Sequence, residues 1–350
     1  MTTLLREINE QPSVLTDLLQ AEWDNIQEIA REIISRRIRQ VLIVARGSSD
    51  NAGVYAKYLL GIRNRLPVAL AAPSMVTVYA SPPRLHDTLV LAISQSGMSP
   101  DIAAVVADAR EQGMMTVALT NQRESRLTGV AERLILCHAG QERSVAATKT
   151  YTATLLAVAM LSVALDGEAD VGPDAGYDAL LRVPEAVAQA LALDATVAPA
   201  AERYRYMADC AVIARGYNYA TAFELALKLK ELTYVGANPY SSADFQHGPI
   251  AVVGKDYPVV LVAPSGKVFD EMATLARELV DRQAELLVIS DRQEILDLAE
   301  TALPLPLPLP EWLSPIAAII PGQLLAYRLA LAKRIDPEAP RGLQKVTETR

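Results

Sequence analysis

One stretch, residues 88–120, constrains the fold more than any other part of the chain. An unbroken apolar run at 89–93 gives way to a small polar loop, then to a helical pattern and a second apolar run at 116–119. An apolar strand without alternation predicts burial on both faces, as in a parallel sheet. Strand, loop, helix and strand form a βαβ unit. The sequence therefore predicts a doubly wound α/β fold, which binds ligands in loops at the carboxyl ends of its strands.

The loop after this strand has the composition of an anion site. Its hydroxyl and amide groups surround Gly97 and come from Ser94, Gln95, Ser96 and Ser99. Free backbone N–H groups at a helix start attract anions, and hydroxyls donate to phosphate without adding charge. The same composition also fits an ordinary βα turn with a serine cap, and the loop alone does not separate the two interpretations.

The second half of the chain repeats the first. Gly216 lies 169 positions after Gly47 in a shared Ala-Arg-Gly motif, and Gly266 lies 169 positions after Gly97. Residues 286–291 repeat an apolar segment found 170 positions earlier. Repetition at nearly one spacing predicts two tandem copies of the doubly wound fold, each with right-handed crossovers.

The two copies differ in their loops. Ala-Pro-Ser-Gly at 263–266 stands where the first copy has its serine-rich segment, so phosphate binding is predicted in the first copy. The second copy carries titratable groups instead. Lys228 shares a face of a predicted helix with Glu224 and Glu231, and His247 lies in a turn as a candidate proton shuttle. A solvated salt-bridge face and an ordinary turn histidine are the alternatives.

The length of 350 residues suits two domains of ordinary size. We place an N-terminal helical segment at 1–40, a first domain at 41–166 and a second domain at 206–335. A linker with a helix at about 177–193 is predicted between them over 167–205, and a tail at 336–350 is expected to close the site.

Composition argues against several function classes. The net charge of −8, without a basic cluster, disfavours nucleic acid as a partner. The chain start lacks the pattern of a signal peptide, and the apolar segments 152–165 and 316–332 are predicted to be buried helices, so no membrane partner is expected. Cys137 and Cys210 are predicted to be reduced core thiols of a cytoplasmic protein. Three histidines and two cysteines without close pairing argue against a zinc site.

Taken in order, these motifs resemble the SIS (sugar isomerase) family. The resemblance is closest to the isomerase portion of glucosamine-6-phosphate synthase and to the stand-alone aminosugar-phosphate deaminases. It runs nearly the whole length of the chain, through the segments 7–12, 47–49, 94–97, 145–149, 226–231, 247–249 and 340–345. It implies two tandem flavodoxin-like SIS domains, a sugar phosphate as substrate, and no metal or organic cofactor.

The resemblance also implies a role for each matching residue. The residues expected to hold the phosphate are Ser49, Ser94, Gln95, Ser96 and Ser99. Those expected at the sugar are Gly47, Ser48, Val145 and Gln344.

Four further residues match catalytic positions of the family. Glu231 matches the carboxylate that moves a proton between C1 and C2, and a carboxylate suits a base that serves two adjacent carbons. His247 matches a ring-opening histidine that reaches into the neighbouring subunit's site. Lys228 matches a lysine beside the reacting hydroxyls, and Lys345 a tail lysine that forms an imine with a ketose. The resemblance therefore implies a homodimer with shared sites.

Several departures from the synthase pattern favour deamination. The synthase begins with a glutamine-hydrolysing domain, whereas this chain begins MTTLL. Met98 and Ser99 stand where the synthase has an acidic residue and a threonine, Ala147 replaces a serine, and the tail 345–349 looks closer to the deaminases. The leading hypothesis is conversion of glucosamine 6-phosphate and water to fructose 6-phosphate and ammonia.

Other functions remain open on the sequence alone. An ammonia-dependent synthase, another phosphosugar isomerase or a deglycase would use the same residues. A non-catalytic sugar-phosphate sensor is the alternative of a different class. The sequence leaves the sugar open among glucosamine, galactosamine and fructosamine types.

Overall fold

The computed structural model describes residues 1–166 and 176–345, which form helices and two sets of strands. The first elements are α1 Thr3–Asn9, α2 Gln11–Ser35, β1 Gln40–Val44, α3 Ser48–Ile62, β2 Val68–Leu70, α4 Ser74–Thr77, β3 Thr88–Ile93, α5 Pro100–Glu111, β4 Met115–Thr120, β5 Arg133–Leu136 and α6 Lys149–Asp166. They are followed by α7 Gly176–Leu181, α8 Val183–Leu191, α9 Asp194–Arg203, β6 Asp209–Ala214, α10 Tyr219–Thr233, β7 Gly236–Ser241, α11 Ser242–Gln246, β8 Pro258–Val262, α12 Phe269–Asp281, β9 Glu285–Ser290, α13 Gln293–Leu296, β10 Thr301–Pro304 and α14 Ser314–Ala332.

The strands form two separate parallel sheets. Their orders are β2-β1-β3-β4-β5 and β10-β9-β8-β6-β7. Counted from the first strand of each sheet, both have the doubly wound order 2-1-3-4-5. The predicted fold class, two tandem doubly wound parallel sheets of flavodoxin type, is confirmed.

The predicted duplication is visible in the strand register. Leu42 pairs with Val90 in the first sheet, and Ala211 pairs with Val259 in the second. Each partner in the second sheet lies 169 positions after its counterpart in the first. The repeat therefore extends from the sequence to the alignment of individual backbone pairs.

The chain divides into two compact units, each built around one sheet. The β1–β5 unit comprises the described residues of Ser13–Glu142, Lys149–Leu181 and Gln344–Arg350, and the β6–β10 unit comprises Met1–Pro12, Arg143–Thr148 and Arg182–Leu343. Helix α1 and the loop 143–148 thus belong to the second sheet's unit although they precede it in the sequence. The domain boundaries drawn from the sequence remain a prediction, and their residues 167–175 and 346–350 lie outside the described residues.

The core of the β1–β5 unit lies around its central strands. Strands β3 and β4 are buried along their whole length, because each has a neighbouring strand on both sides and apolar side chains on both faces. Ile102 and Val106 of α5 belong to the same apolar cluster as Val90 of β3. Helix α6 is buried from Lys149 to Val163 and packs against α3.

The β6–β10 unit is built around its own buried helix. Helix α14 packs against α8, α9 and α10. It is the one helix in the described residues that is long and apolar enough to cross a membrane, but 89% of its most apolar window is buried inside the protein. The prediction that the segments 152–165 and 316–332 are buried helices is therefore confirmed.

Two local predictions differ from the structure. The sequence predicts one helix over 177–193, but α7 ends at Leu181 and Pro184 occupies the first turn of α8, where its missing N–H costs nothing. Strand β7 was not predicted, because Gly236 and Pro239 are poor strand residues that an edge position tolerates. The sequence predicts an edge strand or an extended connector for the proline-rich run that begins at Leu303, and the start of this run does form the end of the edge strand β10.

The central position of β3 predicts the cost of a cavity there. Leu91 is fully buried, so Leu91→Ala should lower the free energy of unfolding of the β1–β5 unit by about 2–5 kcal/mol. Leu70→Ala is the matched control, since Leu70 lies on the edge strand β2 and is 37% exposed. Urea unfolding followed by Trp23 fluorescence in a Trp312→Phe background would measure both. Equal losses in the two variants would contradict this description of the core.

Candidate functional site

Two loops start side by side where the first sheet changes direction. The chain runs from β1 outward to β2 and then returns past β1 to β3, so the carboxyl ends of β1 and β3 are neighbours. Val44 pairs with Ala92 at these ends. Such a switch point is where open α/β sheets bind ligands. The structure thus brings residues 47–49 to the same sheet edge as the predicted phosphate loop 94–99.

The second of these loops is held by its own hydroxyls. Ser94 Oγ accepts a hydrogen bond from the backbone N–H of Gly97 at 3.2 Å, and Ser96 Oγ accepts one from that of Met98 at 3.3 Å. Ser99 is the N-cap of α5, and its backbone N–H donates to no group in the described part of the chain. The loop therefore presents a donor at a helix start, where an anion is favoured.

Gly97 is required by the shape of this loop. Its φ is +64°, a conformation that residues with a Cβ rarely adopt. A Cβ at this position would lie 2.2 Å from Ser125 Oγ. The backbone of the loop can therefore follow this path only with glycine.

An ion pair joins the two loops. Arg46 extends from the end of β1, and its Nη2 lies 2.9 Å from Asp101 Oδ2 in the first turn of α5. Asp101 is 1% exposed, whereas half of the Arg46 side chain is accessible. Burial raises the pKa of the nearby Asp50 carboxyl, and the Arg46 guanidinium opposes that shift. Arg46 therefore fixes the loops and leaves a positive charge accessible near them.

The corresponding loop in the β6–β10 unit is filled by carboxylates of the chain itself. The backbone N–H of Ser265 donates to Asp291 Oδ1 at 2.6 Å, and that of Lys267 donates to Glu311 Oε2 at 2.9 Å. A Cβ on Gly266 would lie 2.3 Å from Glu311 Cδ. Because these donors are already bound to anions, this loop does not offer them to phosphate, which supports the prediction of phosphate binding in the first copy.

A buried ammonium group between two carboxylates lies on α10. Lys228 is 1% exposed, and its Nζ lies 2.5 Å from Glu231 Oε2 and 3.4 Å from Glu224 Oε1. The spacing of three and four residues places all three side chains on one helix face. The Glu224 side chain is fully buried, whereas 20% of the Glu231 side chain is accessible. The alternative of a solvated salt-bridge face is therefore wrong.

This arrangement has a direct chemical consequence. A buried ion pair needs each charge to be matched, and removing one partner is strongly destabilising. Lys228 is thereby held in place by two carboxylates, of which Glu231 alone reaches the surface. The group can present a fixed carboxylate, backed by a positive charge, to a bound molecule.

A second buried carboxylate holds the loop 143–148. Glu7 of α1 is 2% exposed and accepts hydrogen bonds from the backbone N–H groups of Arg143 at 2.6 Å and Ser144 at 3.1 Å. Val145, a predicted sugar contact, follows directly in this loop and is half-buried. The N-terminus of α1 is in turn capped by the carboxylate of Glu338, within the tail. Helix α1 thus connects the tail to the loop inside the β6–β10 unit.

The tail is anchored at several points. The backbone N–H of Arg341 donates to the Tyr234 hydroxyl at 2.8 Å, and the guanidinium lies over the same ring. Lys345 Nζ donates to Glu142 Oε2 at 2.6 Å within the β1–β5 unit. Gln344 is exposed. Residues 346–349, whose pattern suggested the deaminases, lie outside the described residues.

The remaining predicted residues are found in accessible positions. Gln95, Ser48 and Ser49 are half-buried in the switch-point loops, and the backbone carbonyl of Gln95 accepts a hydrogen bond from Thr120 Oγ1. His247 caps the short helix α11 and is exposed. Its ring makes no hydrogen bond or ion pair with any described residue. The imidazole is therefore available for an external contact.

The cysteines do not contribute a nucleophile. Cys137 and Cys210 are free and buried, as predicted. Burial raises the pKa of each thiol to about 12, so both stay protonated near neutral pH. No group of three or more His, Cys, Asp or Glu side chains among the described residues could hold a metal ion.

Comparison with known proteins identifies the family. The SIS domain model matches two segments, residues 34–164 and 209–332, and each segment contains all five strands of one sheet. The chain belongs to the SIS domain family. The resemblance seen in the sequence motifs is thereby confirmed.

Relatives of this SIS chain are similar over nearly its whole length. Glutamine–fructose-6-phosphate aminotransferase (isomerizing) of Thermococcus kodakarensis is 36% identical over 348 residues, which cover 98% of this chain and 57% of that protein. The chain thus spans little more than half the length of this curated relative. A candidate phosphosugar isomerase from Silicibacter pomeroyi superposes with a TM-score of 0.86 at 32% identity, covering 96% of this chain and 100% of the other.

Two further structures are similar in fold. The C-terminal domain of glucosamine-fructose-6-phosphate aminotransferase from Francisella tularensis superposes with a TM-score of 0.84 at 25% identity, covering 97% of this chain and 98% of the other. Glucosamine-6-phosphate deaminase from Thermotoga maritima has a TM-score of 0.82 at 19% identity, covering 99% of this chain and 100% of the other, and this likeness shows the fold alone.

Sequence reasoning about the SIS motifs missed four residues that hold the predicted site residues in place. They are Glu7, Arg46, Asp101 and Glu142. Arg46 could have been noticed, because the Arg-Gly pair recurs at 215–216. Glu7 lies inside a matched motif and Glu142 lies close to one. Their roles become visible only through partners that are distant in the sequence, the loop at 143–144 for Glu7 and Lys345 for Glu142.

Gly97 provides a direct test of the phosphate loop. Gly97→Ala should weaken binding of a sugar phosphate by at least about tenfold, because the added Cβ meets Ser125 and distorts the loop. Gly113→Ala is the matched control, since its φ is +78° and nothing lies within 4 Å of its Cβ position. Isothermal titration with glucosamine 6-phosphate would measure both. Unchanged affinity in the Gly97 variant would remove the loop from the binding site.

Proposed function

We propose that the protein is an isomerising aminosugar-phosphate deaminase. It converts glucosamine 6-phosphate and water to fructose 6-phosphate and ammonia, in the cytoplasm and as a homodimer. The observation that carries the proposal is the buried Lys228 on α10, which holds the accessible carboxylate of Glu231 in place. Membership of the SIS family supports a sugar phosphate as substrate, and the names of its relatives support an isomerisation.

Glu231 is the proposed base. In the open-chain sugar, it removes the proton from C2 while the C1 aldehyde becomes an enol, and it returns a proton to C1. The product is a C2 iminium, to which water adds before ammonia leaves, so that a C2 ketone remains. One carboxylate serves both carbons because they are adjacent. The Lys228 ammonium, 2.5 Å from Glu231, supplies positive charge beside the sugar oxygens, where negative charge develops.

The switch-point loops are the proposed anchor for the phosphate group. Ser49, Ser94, Gln95, Ser96 and Ser99 supply hydroxyl and amide donors. Arg46 contributes an accessible positive charge, although its pairing with Asp101 moderates that charge. Holding a part of the substrate that does not react orients the part that does. Gly47, Ser48, Val145 and Gln344 are proposed to contact the sugar.

Two residues have proposed roles before and after the proton transfer. His247 opens the pyranose ring, and its exposed ring, which forms no hydrogen bond or ion pair with a described residue, is compatible with action at the site of a second subunit. Lys345 forms an imine with the ketose. Both roles rest on the family resemblance and on the accessibility of the side chains.

The direction of the reaction rests on the departures from the synthase pattern. Met98, Ser99 and Ala147 differ from the residues of the synthase, whereas the residues proposed for isomerisation are present. An ammonia-dependent synthase would use the same proton transfer in reverse. The two functions are therefore opposite directions of one reaction, and the concentration of supplied ammonium decides which product accumulates.

Product analysis tests the proposal. Purified protein given glucosamine 6-phosphate should release ammonia and fructose 6-phosphate in equal amounts, measured by two independent coupled assays. N-acetylglucosamine 6-phosphate is the matched control substrate, because its acylated nitrogen should block the release of ammonia. Galactosamine 6-phosphate and a fructosamine phosphate in parallel would define the sugar.

Two results would contradict the proposal. Tight binding of glucosamine 6-phosphate without either product would favour a sugar-phosphate sensor. Isomerisation of another sugar phosphate, without release of ammonia from any aminosugar phosphate, would favour a different phosphosugar isomerase.

A further inference from the structure

Glu142 is a buried carboxylate in direct contact with the proposed imine-forming lysine. Its side chain is fully buried, and Oε2 accepts a hydrogen bond from Lys345 Nζ at 2.6 Å. Lys345 is itself 22% accessible. A carboxylate without solvent is costly unless it is paired and hydrogen-bonded, so this contact fixes the position of the lysine amine.

Glu142 has further hydrogen bonds that stay in place if Lys345 moves away. Thr150, in the first turn of α6, donates to Glu142 through both its backbone N–H, at 3.2 Å, and its hydroxyl, at 2.7 Å. These two hydrogen bonds do not involve Lys345. Each carboxylate oxygen of Glu142 therefore keeps a hydrogen bond from Thr150 when the Lys345 amine turns towards another group.

We propose that Glu142 positions Lys345 and exchanges a proton with it during imine formation with the ketose. The inference rests on the proposed function for the role of Lys345, and it adds the residue that prepares its amine. An ammonium group has no lone pair, so it cannot attack a carbonyl. A buried carboxylate at 2.6 Å is the group placed to take its proton.

The proton balance of this step closes without a further reactant. The proton passes from Lys345 Nζ to Glu142 Oε2, and the neutral amine adds to the C2 carbonyl of fructose 6-phosphate. A proton moves from nitrogen to oxygen in the resulting carbinolamine. Glu142 then returns its proton to that hydroxyl, which leaves as water, and a protonated imine and a carboxylate remain.

Glu142 ends the segment 133–142 that belongs to the β1–β5 unit, and the next residue begins the loop 143–148 of the other unit. Glu7 holds the start of that loop through its backbone N–H groups. Two buried carboxylates therefore act at neighbouring positions of the chain. Glu7 holds the start of the loop 143–148, and Glu142, which precedes that loop, holds Lys345.

Reductive trapping measures the step directly. The protein is incubated with fructose 6-phosphate and cyanoborohydride, and the adduct on the peptide containing Lys345 is quantified by mass spectrometry over time. Wild-type protein should be labelled, and Lys345→Arg should not. Glu142→Gln should lower the maximal trapping rate by about 100-fold or more, with the half-saturating concentration of sugar unchanged.

Matched variants separate proton exchange from a structural role. Glu142→Asp keeps an acid and should recover part of the rate. Thr150→Val removes one hydrogen bond to the same carboxylate. It should change the melting temperature by about as much as Glu142→Gln does, but it should lower the trapping rate much less.

Two outcomes would overturn the inference. The first is a trapping rate in Glu142→Gln equal to that of the wild type. The second is a wild-type protein that is not labelled at Lys345. Ammonia release from glucosamine 6-phosphate by the wild type is assayed separately, so the proposed function can survive either outcome.

Discussion

The buried charge of Lys228 is the constraint on which the second half of the molecule depends. An ammonium group taken out of water is tolerated only with close opposite charges, which Glu224 and Glu231 provide at 3.4 Å and 2.5 Å. Helix α10, which packs against α14 and β7, must therefore also enclose a polar group on one of its faces. Apolar side chains of similar volume at these three positions would give the protein equal or greater stability. The retained charges instead fix one accessible carboxylate.

The two copies of the duplicated fold differ in the groups that fill the same loop. Both sheets have the same strand order, so each provides a loop at the same switch point. In the β6–β10 unit, Asp291 and Glu311 occupy the backbone donors of that loop. In the β1–β5 unit, the equivalent loop is held by serine hydroxyls, and Asp101 is paired with Arg46. The loop of the β6–β10 unit thus has internal carboxylates on its backbone donors, whereas in the β1–β5 unit the Ser99 N–H donates to no described group.

Local patterns predicted most of the fold but little of the support for the site. The apolar runs and the repeat spacing were enough to predict the doubly wound sheets, because a strand buried on both faces has consecutive apolar residues. Strand β7 was not predicted, because its composition is unlike that of a strand and it pairs only at the edge of the sheet. The burial of Lys228 and the contact of Glu142 with Lys345 depend on packing and on partners distant in the chain. Helical spacing alone fits a buried and a solvated ion pair equally well.

Exchange of the substrate's C2 proton tests the central claim, that the carboxylate held by Lys228 performs the proton transfer. Glucosamine 6-phosphate in D₂O should lose its C2 proton signal in NMR spectra with the wild-type protein. Glu231→Gln should slow this loss by about 100-fold or more, while calorimetry shows unchanged binding. Glu224→Gln, which alters the fully buried carboxylate of the same group, should keep the exchange measurable. Exchange at the wild-type rate in Glu231→Gln would contradict the account.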